Sequence, residues 1–133
     1  MNLKNTEYLL EKYPKIFSQH KLPPSKTAMC WLFECGDGWF WLIDNLCNTI
    51  QRYINDNKKK QVEAVQVKEK YGTLRFYTNT SDDLIDGMVW LAEAMSAGIC
   101  EQCGSTVGVK ATTGWISHLC PECTIMKEEV VIG

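Results

Sequence analysis

A chain of 133 residues, 45% hydrophobic and 23% charged with a net charge of -2, is long enough to bury a core and too ordinary in composition for a fibrous or disordered protein. It opens without the basic-then-apolar pattern of a secretory signal and holds no apolar run near the roughly 18 residues that span a bilayer, so an intracellular protein is expected. Basic and acidic groups number 12 and 12 in residues 1–97 but 2 and 4 in residues 98–133. The acidic C-terminal end argues against generic phosphate binding, which runs on Lys and Arg displacing counterions.

Thr6 to Tyr13 reads as a short helix with Leu9, Leu10 and Tyr13 inward, and Pro14 either ends it or starts a second turn at Lys15 to Phe17. Ser18 to Thr27, with Pro23 and Pro24, reads as a loop. Met29, Trp31 and Phe33 alternate with Cys30 and Leu32, the pattern of a short strand buried on both faces or of an extended loop. Gly36-Asp37-Gly38 breaks that strand, and Asp37 is placed to cap a helix from Trp39 to about Asn57. Trp39, Leu42, Ile43, Leu46, Cys47, Ile50, Tyr53 and Ile54 fall on one face of this helix, with Phe40 at the margin. Trp41 falls about 200° from Trp39, beside Asn48 and Arg52 on the polar face. A ring there either lies under another segment, such as the proline loop, or meets a partner, since Trp and Arg are enriched at binding hot spots.

Val62 to Lys68 and Thr73 to Tyr77 alternate about a Lys70-Tyr71-Gly72 turn and predict a β-hairpin, with Val65 and Val67 sharing a face with Leu74 and Phe76. Arg75, between Tyr71 and Tyr77, can lay its stem over a ring or contact a phosphate. Thr80, Ser81 and Asp82 offer caps for a helix with Leu84, Ile85, Met88, Leu91, Ala92 and Met95 inward and Gly98 at its C-terminal end. Asp82, Asp83 and Asp86 are ordinary first-turn residues, favoured there by the helix dipole.

Cys100-x2-Cys103-x16-Cys120-x2-Cys123 is a metal-ligand spacing: each tight turn sets two thiolates about one tetrahedral edge apart, and the second pair closes the tetrahedron. Zn2+ is the expected ion, as a structural staple with no open position for water. Gly104 supplies the freedom that the knuckle turn needs. Val107 to Val109 and Trp115 to Leu119 can form a hairpin between the pairs. A helix over Thr124 to Val130 favours a treble clef over a plain zinc ribbon. His118 is expected at the metal rim, solvated or bonded to a knuckle carbonyl. Cys30, Cys35 and Cys47 are read as small apolar core residues.

The fold expected is α+β: helices packed on a small antiparallel hairpin sheet, with a core domain at residues 1–97 and a treble-clef or zinc-ribbon-like module at residues 98–133 packed against it. No pair of carboxylates, Ser/His/Asp set or phosphate-cradling glycine loop stands out.

The order CGDGWFWLIDNLC, VQVKEKYGTLRFY and ICEQCG followed by GWISHLCPEC resembles a family of small, mostly uncharacterised proteins encoded by bacteriophages and prophages, from about Phe33 onward. The resemblance implies the cytoplasm of a bacterial host and transfers no catalytic residue. The paired cysteines also resemble treble-clef fingers of the GATA type, which are basic around the knuckle where this chain is acidic. The expected function is therefore non-enzymatic: binding a host or phage protein through Trp41, Arg52 and Arg75, for instance as an inhibitor of a defence system such as CRISPR or of another host enzyme. The alternatives are a nucleic-acid-binding or transcription-associated zinc finger using Arg75, Lys68, Lys70 and Lys58 to Lys60 as a strip, and a small treble-clef nuclease with His118 as general base.

Overall fold

A computed structural model describes residues 1–132. Helix α1 (Leu3–Lys12) starts a turn earlier than Thr6 because the Asn2 side chain caps it, accepting the Asn5 N–H at 2.8 Å. Leu9 and Tyr13 are buried, and the Tyr13 hydroxyl donates to both the main-chain and carboxylate oxygens of Asp44. That bond ties the first helix to the long one.

The alternation over Met29 to Phe33 does not make a strand. Met29–Trp31 form a 3-10 turn, and Leu32 follows with φ 62° and ψ -138°. A positive φ at a branched residue breaks the two-residue period, so Met29 is buried while Trp31 is 62% exposed. Only Phe33–Glu34 (β1) extends. It pairs in parallel with β2 (Ala64–Lys70), placing Phe33 opposite Val67. Strand β3 (Thr73–Thr78) pairs antiparallel with β2, giving a mixed three-stranded sheet in the order β1-β2-β3 where an antiparallel hairpin sheet was expected.

The hairpin turns at Tyr71 and Gly72, with φ of 53° and 84°, the pair of left-handed residues that a two-residue turn of this hand demands. A bulge between Ala64 and Gln66 leaves Val65 as the extra residue. Val67, Leu74 and Phe76 are therefore buried together, and Val65 is only half-buried and does not share their face as expected.

Asp37–Trp39 form a 3-10 turn that leads into helix α2 (Phe40–Asn57). The Asp37 carboxylate does not cap this helix. It accepts the Asn2 N–H at 2.8 Å and the Asn5 side-chain amide at 3.2 Å, tethering α1 instead. Lys58 ends α2 in a left-handed conformation. The predicted apolar face is otherwise realised: Trp39, Leu42, Ile43, Leu46, Cys47, Ile50 and Ile54 are buried in one cluster with Phe17, Phe33 and Phe76, and Tyr53 is half-buried against it.

Helix α3 (Asp83–Ser96) is capped by Asp82, whose carboxylate accepts the Ile85 N–H. It lies along the outer edge of β3, where unpaired strand amides need partners. The Ser96 hydroxyl accepts the Leu74 N–H at 2.9 Å and the Glu93 carboxylate accepts the Phe76 N–H at 3.1 Å. Ile85, Ala92 and Ser96 are buried. Leu84, Leu91 and Met95, expected inward, are 54%, 63% and 41% exposed.

The C-terminal segment follows with β4 (Lys110–Ala111), β5 (His118–Leu119) and α4 (Pro121–Ile132). The hairpin is shorter than expected and shifted, leaving Val107, Trp115 and Ile116 exposed. Thr112 closes its loop: its hydroxyl donates to the Trp115 carbonyl and accepts the Ser117 N–H, each at 2.9 Å. Helix α4 begins three residues before the expected Thr124 because Pro121 suits a first helical position. Its start therefore includes Cys123.

Candidate metal centre and exposed apolar face

Three pieces of local structure deliver the four cysteines. Cys100 and Cys103 flank a knuckle in which the Gly104 N–H donates to the Cys100 carbonyl at 2.9 Å and Gly104 takes φ 84°. Cys120 leaves β5, and Cys123 sits in the first turn of α4. The four Sγ atoms lie within 4.8 Å of one another, and those of Cys103 and Cys120 are 3.7 Å apart. A tetrahedral ion with bonds to sulfur of about 2.3 Å sets edges of about 3.8 Å, so this donor set can hold a metal ion.

The surroundings already favour charge on some of these sulfurs. Burial works against the Cys100 thiolate, but backbone N–H groups of Cys120, Cys103 and Gln102 outweigh it and bring the pKa down to about 7. The Ser105 N–H lowers the Cys103 pKa, yet desolvation and the neighbouring Cys100 and Cys120 thiols leave it raised. Burial, then the crowd of thiols, pushes Cys123 well up. An unmetallated cluster thus shares few negative charges, and a cation would reverse that.

The knuckle has a shaped seat. The Gly38 N–H donates to the Glu101 carbonyl at 2.7 Å, the Gly36 N–H to the Glu101 carboxylate at 2.9 Å, and the Trp39 indole to the Ile99 carbonyl at 3.0 Å. A Cβ on Gly38 would stand 1.9 Å from the Cys100 carbonyl oxygen, and one on Gly36 2.3 Å from that of Glu101. The glycines that break the chain before α2 are there so that two backbones can touch. Burial raises the Glu101 carboxyl above its ordinary range, opposed by the Gly36 N–H.

His118 does not bond the knuckle through its ring. Its Nδ1 lies 2.7 Å from the Gly72 carbonyl, which requires the Nδ1–H tautomer, while its own carbonyl accepts the Glu101 N–H at 3.0 Å. The imidazole therefore pins the C-terminal hairpin to the β2–β3 turn. Among the described residues the four cysteines are the one convergent set of metal-binding side chains. Burial pushes the Cys35 thiol up to about 12 and the Cys47 thiol well above its ordinary value. Cys30 is half-buried, with its thiol against the Thr27 carbonyl.

Trp41 is 61% exposed, so the proline loop does not cover it. It stands at the mouth of a groove of about 170 Å³ between α2 and α3, lined on one side by Trp41, Asn45 and Thr49 and on the other by Met88, Leu91 and Met95. Arg52 is exposed further along α2. Arg75 is not part of this face: it lies on β3, opposite Lys68, and its guanidinium makes a long 3.5 Å contact with the Leu74 carbonyl. The cationic strip is split as well. Lys58 to Lys60 precede β2, whereas Lys70 ends it, six strand steps of about 3.3 Å from Ala64.

The sequence reading missed most of this face. Leu84, Met88, Leu91 and Met95 follow one another at spacings of 4, 3 and 4, which reads as a buried stripe and is mostly exposed. The chain was also compared with family models, curated proteins and solved structures, and none of them matches it.

Proposed function

We propose that the protein is a zinc-stapled binding protein with no chemistry of its own, which engages another protein through the α2–α3 face. The observation that carries this is the uncovered apolar stripe: Leu84, Leu91 and Met95 with Trp41, exposed by 41–63%, where a single-chain soluble fold would place polar residues. The occupant that fits is an apolar helix of a partner, because spacings of 4, 3 and 4 are those at which one helix seats ridges into another. Asp83 and Asp86 at one end and Arg52 on α2 give the stripe a charged rim.

Four thiolates suit zinc, and the order of knuckle, β4–β5 and α4 supports a treble clef. The metal then belongs to folding, with residues 98–133 as a module docked on a core of residues 1–97. The resemblance to phage and prophage proteins adds the setting: a bacterial host cytoplasm and a host or phage partner, with a defence system such as CRISPR, or another host enzyme, as the target of inhibition.

The test is copurification from nuclease-treated bacterial extract with wild type, Trp41→Ala and Leu91→Ser. One protein retained by wild type and lost by both variants, at unchanged zinc content and melting temperature, is the expected result. Equal retention by all three, or nothing retained until nuclease is omitted, removes this reading. In the second case nucleic-acid binding replaces it.

A further inference from the structure

Away from the α2–α3 face, the β2–β3 turn and the C-terminal hairpin enclose a cleft of about 480 Å³, lined by Lys68, Glu69, Lys70, Tyr71, Trp115 and Ile116. That volume falls in the range of about 300–1,000 Å³ typical of ligand sites. Tyr71 and Trp115 are each 75% exposed, although they come from segments 44 positions apart. Rings so far into water at one cleft have no packing role to explain them.

Both walls are fixed. The His118 imidazole holds the Gly72 carbonyl at 2.7 Å, and a Cβ on Gly72 would stand 2.9 Å from the Ile116 side chain. The Trp115 carbonyl accepts from Thr112 and, at 3.0 Å, from the Lys127 ammonium. Tyr71 sits at the tip of the β2–β3 turn in a left-handed backbone conformation, φ 53°.

Cations stand beside the rings. Lys68 and Arg75 are direct cross-strand partners on the sheet face that Lys70 shares, and the Lys70 ammonium lies 5.9 Å from the Tyr71 ring centre. Two carboxylates come near: Glu69, occupied by the Gly72 N–H at 3.2 Å, and Glu34, opposite Lys68 in register. Neither makes a salt bridge to these cations among the described residues.

We infer that this cleft binds single-stranded nucleic acid, with bases stacked on Trp115 and Tyr71 and the phosphate backbone on Lys68 and Lys70, running on to Arg75 on the sheet face just outside the cleft. Exposed rings interleaved with cations are the pattern by which proteins take strands without reading sequence. Duplex is excluded from this mode because its bases are already stacked. The site is separate from the protein-binding face and stands or falls independently of it.

The test uses the zinc-loaded full chain and fluorescein-labelled oligothymidylate and oligouridylate at low salt, read by anisotropy. Binding is expected, with a log–log salt slope of about -2 from three phosphate contacts. Trp115→Ala and Tyr71→Asn, the latter tolerant of the left-handed backbone, should each weaken it by roughly ten- to a hundredfold. Zinc content and melting temperature should stay at wild type in both. Absence of binding, equal affinity for a duplex of the same length, or ring variants that bind like wild type would each overturn the inference.

Discussion

Gly38→Ala should separate the metal knuckle from the core. The added methyl would lie 1.9 Å from the Cys100 carbonyl oxygen and 2.6 Å from the Glu101 carbonyl carbon and oxygen, all of them backbone atoms that cannot rotate away. Relief requires the knuckle to retreat, which breaks the Gly38 N–H bond to Glu101 and strains those of Gly36 and the buried Trp39 indole. A buried donor left without a partner costs about 1–3 kcal/mol, so one bond lost and two weakened to roughly half cost about 2–6 kcal/mol, a large part of the ~5–15 kcal/mol that holds a domain of this kind folded. In a thermal melt this is a drop of about 8–24 °C. Because knuckle geometry and metal binding are linked, zinc affinity measured by chelator competition should fall at least tenfold. Gly87→Ala is the control, since nothing lies within 4 Å of its Cβ position on the exposed side of α3. It should stabilise by about 0.5–1 kcal/mol. A Gly38→Ala protein that melts with wild type and takes up zinc as tightly would refute the seat.

Ser96→Ala leaves the Leu74 N–H unpartnered at the buried β3 edge and should cost about 1–3 kcal/mol in urea unfolding; an unchanged midpoint would show that the edge has another acceptor. Cys103→Ser should lower zinc affinity and abolish the tetrathiolate d–d spectrum of the cobalt-substituted protein, whereas Cys35→Ser should keep both. The Tyr53 hydroxyl at 2.6 Å and then the Ile85 N–H hold the Asp82 carboxyl below its ordinary value of 3.8. A depressed folded pKa means that this contact stabilises above the unfolded value and is lost as pH falls through the folded one. Tyr53→Phe should therefore move the Asp82 titration back up, as read by carboxyl NMR, and an unmoved titration would contradict the assignment.

How much of this was legible in the sequence depended on what each signal encodes. The four cysteines announced themselves because metal geometry constrains spacing directly, and the α2 face because a long helix repeats its period many times. Met29 to Phe33 misled because five residues cannot distinguish alternation from a 3-10 turn, and nothing local marks the positive φ of Leu32. Leu84, Leu91 and Met95 misled for the opposite reason. Their period was right, but periodicity reports that a face is apolar and not whether this chain covers it. Gly36 and Gly38 read as a chain break, since their contact with Cys100 and Glu101 spans more than 60 positions. Trp115 and Tyr71 are likewise joined only by the fold.

The most direct measurement is hydrogen–deuterium exchange on the zinc-loaded full chain with and without a protein recovered by the proposed copurification from bacterial extract. Added protection should concentrate in residues 40–52 of α2 and 84–95 of α3, leaving the knuckle and α4 unchanged. Protection confined to residues 98–132, with α2 and α3 exchanging as in the free chain, would contradict the account and make the metal module the binding surface.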